Sequence, residues 1–107
     1  MKGNIYKITN DINNKVYIGK TLLTIEERFS QHCKDALRPS KEKRPLYSAM
    51  KKYGIEHFSV SLVEEVSLEE LNNREIYWIN QFNSFHFGYN ATLGGEGKQK
   101  YNYNEIV

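Results

Sequence analysis

Two short alternating segments constrain the fold more than anything else in the chain. Asn4–Thr9 and Lys15–Lys20 are rich in Ile, Val, Tyr and Thr, and the cluster Asn10-Asp11-Ile12-Asn13-Asn14 lies between them. Alternation broken by turn formers predicts a β-hairpin. Further strands must then add to one of its edges. With 107 residues there is room for one core. His57–Val63 alternates Phe58, Val60 and Leu62 with Ser59 and Ser61, and supplies a third strand with one face toward the core.

The helices follow from start and stop signals. Thr24-Ile25-Glu26-Glu27 has the form of a capping box, and Ile25, Phe29, Cys33 and Ala36 recur at helical spacing until Pro39, which predicts a helix over about 25–37. Pro45 opens a second helix with Leu46, Ala49, Met50 and Tyr53 on one face and Gly54 as its stop. Ser67-Leu68-Glu69-Glu70, a second capping box, opens a third that runs to about Phe82. The order ββααβα is that of a small α+β domain: a three-stranded, mostly antiparallel sheet flanked by helices. This domain is expected over 1–95, with a polar tail or linker over 96–107.

Composition narrows the function classes. Although mean hydropathy is −0.68 and 26% of residues are charged, 13% are aromatic, enough to build a core and to argue against disorder. No segment approaches the roughly 18 apolar residues of a membrane span, and no signal-peptide run follows Met1, so the chain reads as soluble and intracellular, without a membrane partner. Cys33 is the single cysteine, which excludes an internal disulfide and a cysteine zinc cage. Charge is segregated: Lys34–Lys52 holds seven basic residues against two acids, a local net of +5, while Gly54–Glu75 holds six glutamates against Arg74, a local net of −5. A polyanionic partner meeting one side of the fold is one reading, and a solvated loop and helix face is the other.

Three features break the core pattern. On the third helix Leu68, Leu71, Trp78, Ile79 and Phe82 share a stripe with Glu75 in its middle. A carboxylate there requires a cation, a metal or a proton, and an internal pair with arginine or lysine competes evenly with metal ligation. Arg28 and His32, four apart, emerge together at the edge of the first helix's apolar stripe. Tyr6 and Tyr17 share a sheet face only if paired positions in the hairpin add to an odd number, which a regular three-residue turn would not give. Lys20, at the hairpin exit, is exposed unless it turns toward the same site.

Taken together, these residues resemble the GIY-YIG nuclease superfamily, named for two strand motifs that here read Asn4-Ile5-Tyr6 and Tyr17-Ile18-Gly19. The first departs from the pattern, with Asn4 in place of the glycine and Gly3 one position earlier. Arg28, His32, Glu75 and then Asn90 follow in the family's order, and Gly88-Tyr89-Asn90-Ala91-Thr92-Leu93-Gly94-Gly95 looks like the end of the module in phage-type homing endonucleases. The resemblance spans about residues 3–95. It implies metal-dependent hydrolysis of a DNA phosphodiester. Glu75 would hold one Mg²⁺ (or Mn²⁺), Arg28 would contact the scissile phosphate, Tyr6 would orient or deprotonate the water with His32 taking the proton, Tyr17 would bind the metal's water or the phosphate, and Asn90 would support the site. Lys20 is an electrostatic helper. Lys41, Lys43 and Arg44 in the basic segment would meet the backbone of double-stranded DNA. A repair, junction-cleaving or restriction nuclease of the same superfamily, or a nucleic-acid-binding module without activity, are the alternatives. No motif reveals sequence specificity.

Overall fold

The sheet runs in the order β2-β1-β3, with Lys2–Asn10 (β1) central and antiparallel to both Val16–Thr21 (β2) and Phe58–Ser67 (β3). This is seen in a computed structural model, which describes residues 1–39 and 44–95. The expected α+β class and the three-stranded antiparallel sheet are therefore present. Lys41, Lys43 and the 96–107 tail lie outside the described residues.

The hairpin closes at the bond from Asn10 N to Lys15 O, with four residues between, and Asn14 takes the left-handed conformation (φ 63°) that Asn tolerates better than most residues. The connection sets the register as Tyr6 opposite Gly19 and Ile8 opposite Tyr17. These indices add to an odd number, so the two tyrosines share a face. A bulge between Ile5 and Tyr6 in the β1–β3 pairing leaves Val63 as an extra residue. The third strand consequently runs on to Ser67, beyond the segment predicted, and Leu62, expected to face the core, is exposed.

Alternation along β1 divides the interior into two layers. Tyr6 and Ile8 pack under Ile25–Leu37 (α1) and Pro45–Tyr53 (α2), with Ala36, Leu46, Tyr47, Met50 and Phe58. Ile5 and Ile18 pack on the opposite face under Leu71–Phe82 (α3), with Leu71 and Ile79. The Thr24–Glu27 capping box forms in both directions. Pro45 starts α2, and Gly54 at φ 97° ends it.

The second predicted capping box does not form. Ser67 stays in extended backbone with no side-chain cap bond, and a 3₁₀ turn over Leu68–Glu70 precedes the α-helix, which begins at Leu71. Phe82, placed on the apolar stripe by periodicity, lies partly exposed beneath the Lys7 ammonium. Asn83, left-handed at φ 53°, ends α3 and turns the chain into a short helix not anticipated from the sequence, Ser84–Phe87 (α4).

Candidate active site

The site begins at Gly19. A Cβ there would lie 2.3 Å from the Tyr6 hydroxyl, so only glycine lets the Tyr6 ring cross β2 from the neighbouring strand. The Tyr6 hydroxyl then meets His32 Nε2 at 2.7 Å, and on the other side of the imidazole the Tyr47 hydroxyl meets Nδ1 at 2.8 Å. Tyr17 completes the cluster with its ring edge-on to His32 at 5.5 Å. His32, expected at the edge of the core, is fully buried within it, because α2 covers it.

Burial controls the electrostatics. It raises the Tyr6 phenol well above its ordinary value of 10.0, helped by the neighbouring Tyr17, while the charge of the Arg28 guanidinium pulls the other way. Tyr17 is raised as well, chiefly by burial and then by the Glu75 charge. Burial, followed by the charges of Arg28 and Arg44, lowers His32 from 6.5 to about 3. The imidazole is thus neutral at physiological pH, with one ring nitrogen bare.

The low His32 value has a consequence for stability. Between about pH 6.5 and 3 the unfolded chain binds a proton at this site that the folded chain does not, so stability is full above pH 6.5 and declines as the pH falls through that window. The expected contribution is on the order of a few kcal/mol. Melting temperature measured against pH should fall more steeply for the wild type than for His32→Gln, which keeps a polar side chain but cannot titrate; parallel curves would contradict this.

Glu75 reaches the same region from α3. It is buried, and its Oε1 accepts the Gly95 amide at 2.9 Å and lies 3.3 Å from Lys20 Nζ. Lys20 is half-buried, bridging Glu75 to Asn72 Oδ1. The partner that a buried glutamate demands is therefore a lysine of the hairpin, and Lys20 has turned toward the site. Among the described residues both contacts fall on Oε1, which leaves the second oxygen of Glu75 for a cation.

A cavity of about 340 Å³ joins these groups, with Tyr6, Tyr17, Lys20, Arg28, Arg44, Glu75 and Asn90 in its wall. Arg28, bonded to Gln31 Oε1, brings a planar donor fork to this cavity. Arg44 is placed at the start of α2, its guanidinium 5.5 Å from the Tyr47 ring centre. Asn90 works differently from its neighbours. Its amide accepts from Ile18 N and donates to Ile18 O, both at 2.8 Å, while Ser84 Oγ donates to the same oxygen, so Asn90 fastens the C-terminal segment along β2. The site's other participants, Tyr47, Asn72, Ser84 and the Gly95 amide, carry no local sequence signal. Tyr47 sits beside the apolar stripe of α2 and is singled out only by contact with α1.

Among the described residues no three His, Cys, Asp or Glu side chains cluster as a metal cage. A single carboxylate beside a cavity suits a hard cation that retains water and takes further oxygens from a substrate, and does not suit a structural zinc. Comparison with known proteins gives this arrangement its context. The GIY-YIG catalytic domain matches residues 2–90. The chain belongs to the GIY-YIG family. Among its relatives, Intron-associated endonuclease 1 of Enterobacteria phage T4 is 37% identical over 99 residues, covering 88% of this chain and 40% of that protein. Uncharacterized protein 019R of Invertebrate iridescent virus 6 is 36% identical over 102 residues, 90% of this chain and 33% of that protein. This GIY-YIG chain thus spans well under half the length of these curated relatives. Two solved structures share its fold. The catalytic domain of intron endonuclease I-TevI, E75A mutant, superposes with a TM-score of 0.72 at 34% identity, covering 86% of this chain and 95% of that one. The catalytic domain of homing endonuclease I-TevI gives 0.69 at 30% identity, covering 84% and 98%. No helix among the described residues is long and apolar enough to cross a membrane.

Proposed function

We propose that this GIY-YIG domain is a divalent-metal-dependent endonuclease hydrolysing phosphodiester bonds of double-stranded DNA inside the cell. The observation that carries the reading is the convergence of a buried carboxylate, an arginine and a phenol backed by a neutral histidine on one cavity. Phosphodiester hydrolysis needs charge neutralisation at the phosphate, an activated water and relief of charge on the leaving oxygen. Glu75 would hold one Mg²⁺ or Mn²⁺, which supplies charge neutralisation when bound.

The protein's own groups supply the rest. Arg28 donates to the phosphate oxygens, its planar fork suiting two of them. The Tyr6 phenol cannot ionise unaided, since its pKa lies above the ordinary tyrosine range, so it must release its proton as it takes one from water. His32 Nε2, 2.7 Å away, is the acceptor. Burial is the main cause of His32's low basicity, and a phosphate arriving beside Arg28 and Arg44 would offset the two positive charges that add to it. Tyr17 orients the phosphate from the same sheet face. Lys20 steadies Glu75. Arg44, with Lys41 and Lys43, meets the DNA backbone, and Asn90 acts as a positioning residue by holding β2.

The test is conversion of supercoiled plasmid by the purified chain. Nicked or linear product is expected with Mg²⁺ or Mn²⁺ and none with chelator. Plasmid that is retarded on a gel but never cut under either metal would make the chain a nucleic-acid-binding module.

A further inference from the structure

His32 is hydrogen-bonded at both ring nitrogens, and the two bonds are not independent. A neutral imidazole has one N–H donor and one bare acceptor nitrogen, so the choice at one end dictates the other. At the Tyr6 end, Nε2 stands 2.7 Å from the hydroxyl; at the Tyr47 end, Nδ1 stands 2.8 Å from the hydroxyl. The direction follows from Arg28. A guanidinium only donates, and Arg28 lines the same cavity as Tyr6, so its positive charge favours a phenolic oxygen that turns its lone pairs to that side and its own proton to Nε2. Nε2 must then be bare and Nδ1 must carry the hydrogen, donating it to the Tyr47 oxygen.

We propose that Tyr47 is a positioning residue that holds His32 as its Nδ1–H tautomer and so keeps Nε2 open to receive the Tyr6 proton. This rests on the nuclease reading for its catalytic meaning. When the proton passes, the O–H bond of Tyr6 breaks and an N–H bond forms at Nε2. The proton Tyr6 regains comes from the attacking water, and the imidazolium keeps its Nδ1–H bond to Tyr47. In the opposite tautomer Nε2–H would donate to Tyr6, and the transfer could not begin. Tyr47 lies buried on α2, whose packing against α1 sets the hydroxyl at Nδ1. Among the described residues, the other titratable or charged groups around the imidazole are Tyr6 from β1, Tyr17 from β2, Arg28 on its own helix and Arg44 at the N-cap of α2.

The direct test is ¹⁵N NMR of the His32 ring in wild type and Tyr47→Phe, with neither DNA nor metal present. The wild type should show a protonated Nδ1 and a bare Nε2, and Tyr47→Phe should shift the ring toward Nε2–H. In plasmid cleavage the variant should lose about tenfold or more in kcat, with KM close to wild type and the melting temperature lowered by no more than the loss of one buried hydrogen bond requires. A wild-type ring protonated at Nε2, or a ring unaffected by Tyr47→Phe, would overturn the proposal. A chain that shows the tautomer switch but cuts DNA under neither metal would support Tyr47's hold on His32 and overturn the nuclease reading instead.

Discussion

Glu75→Gln should reduce metal-dependent cleavage by about a thousandfold or more, the scale seen when a group stabilising transition-state charge is removed, while leaving DNA affinity close to wild type. The substitution keeps an acceptor for the Gly95 amide and removes only the charge. Lys20 loses its ion pair but keeps Asn72 Oδ1 and gains the new amide oxygen as a neighbour. The stability cost should therefore stay below the about 3–5 kcal/mol of stranding a buried charge. A purely structural Lys20–Glu75 pair predicts the opposite, with cleavage retained and the melting temperature sharply lowered. Measuring both quantities on the one variant separates a ligand from a brace.

Tyr6→Phe is the second large effect. It deletes one hydroxyl from a fully buried ring that contacts His32 and crosses Gly19. The fold loses one hydrogen bond, with a cost of about 1–3 kcal/mol for the unsatisfied Nε2. If the proposed mechanism holds, catalysis loses the group that hands the water's proton inward, and kcat should fall by about 10²- to 10⁴-fold with KM for DNA nearly unchanged. Single-turnover cleavage at saturating metal would measure it. A Tyr6→Phe domain cutting at the wild-type rate would exclude the phenol from proton transfer and leave water activation to another group.

The sequence disclosed those parts of the site that offend local rules. A carboxylate on an apolar stripe is visible because periodicity assigns it to the interior, and Glu75 is indeed buried. Arg28 and His32 are visible because four residues bring two side chains to one helical face. The pairing of the tyrosines was not legible, since it depends on whether the hairpin turn holds three residues or four, and the Asn-rich cluster permits either. The left-handed Asn14 settles it in the structure. Tyr47 and Ser84 escaped for a different reason. An aromatic on a short amphipathic helix and a serine after a helix end look ordinary, and their partners, His32 and Asn90, lie 15 and 6 residues away across turns of the chain. The failed capping box at Ser67 shows tertiary structure overriding a local signal: strand pairing with β1 extends through that residue, and the helix must wait for Leu71.

The most direct test of the central claim, that Glu75 brings a divalent cation to the cavity where Tyr6 and Arg28 act, is Mn²⁺ titration followed by paramagnetic broadening of backbone amide resonances. Broadening should appear first at Glu75, Lys20, Tyr17 and Gly95 at substoichiometric Mn²⁺, and should vanish in Glu75→Gln. Broadening centred elsewhere, or unchanged in that variant, would contradict it.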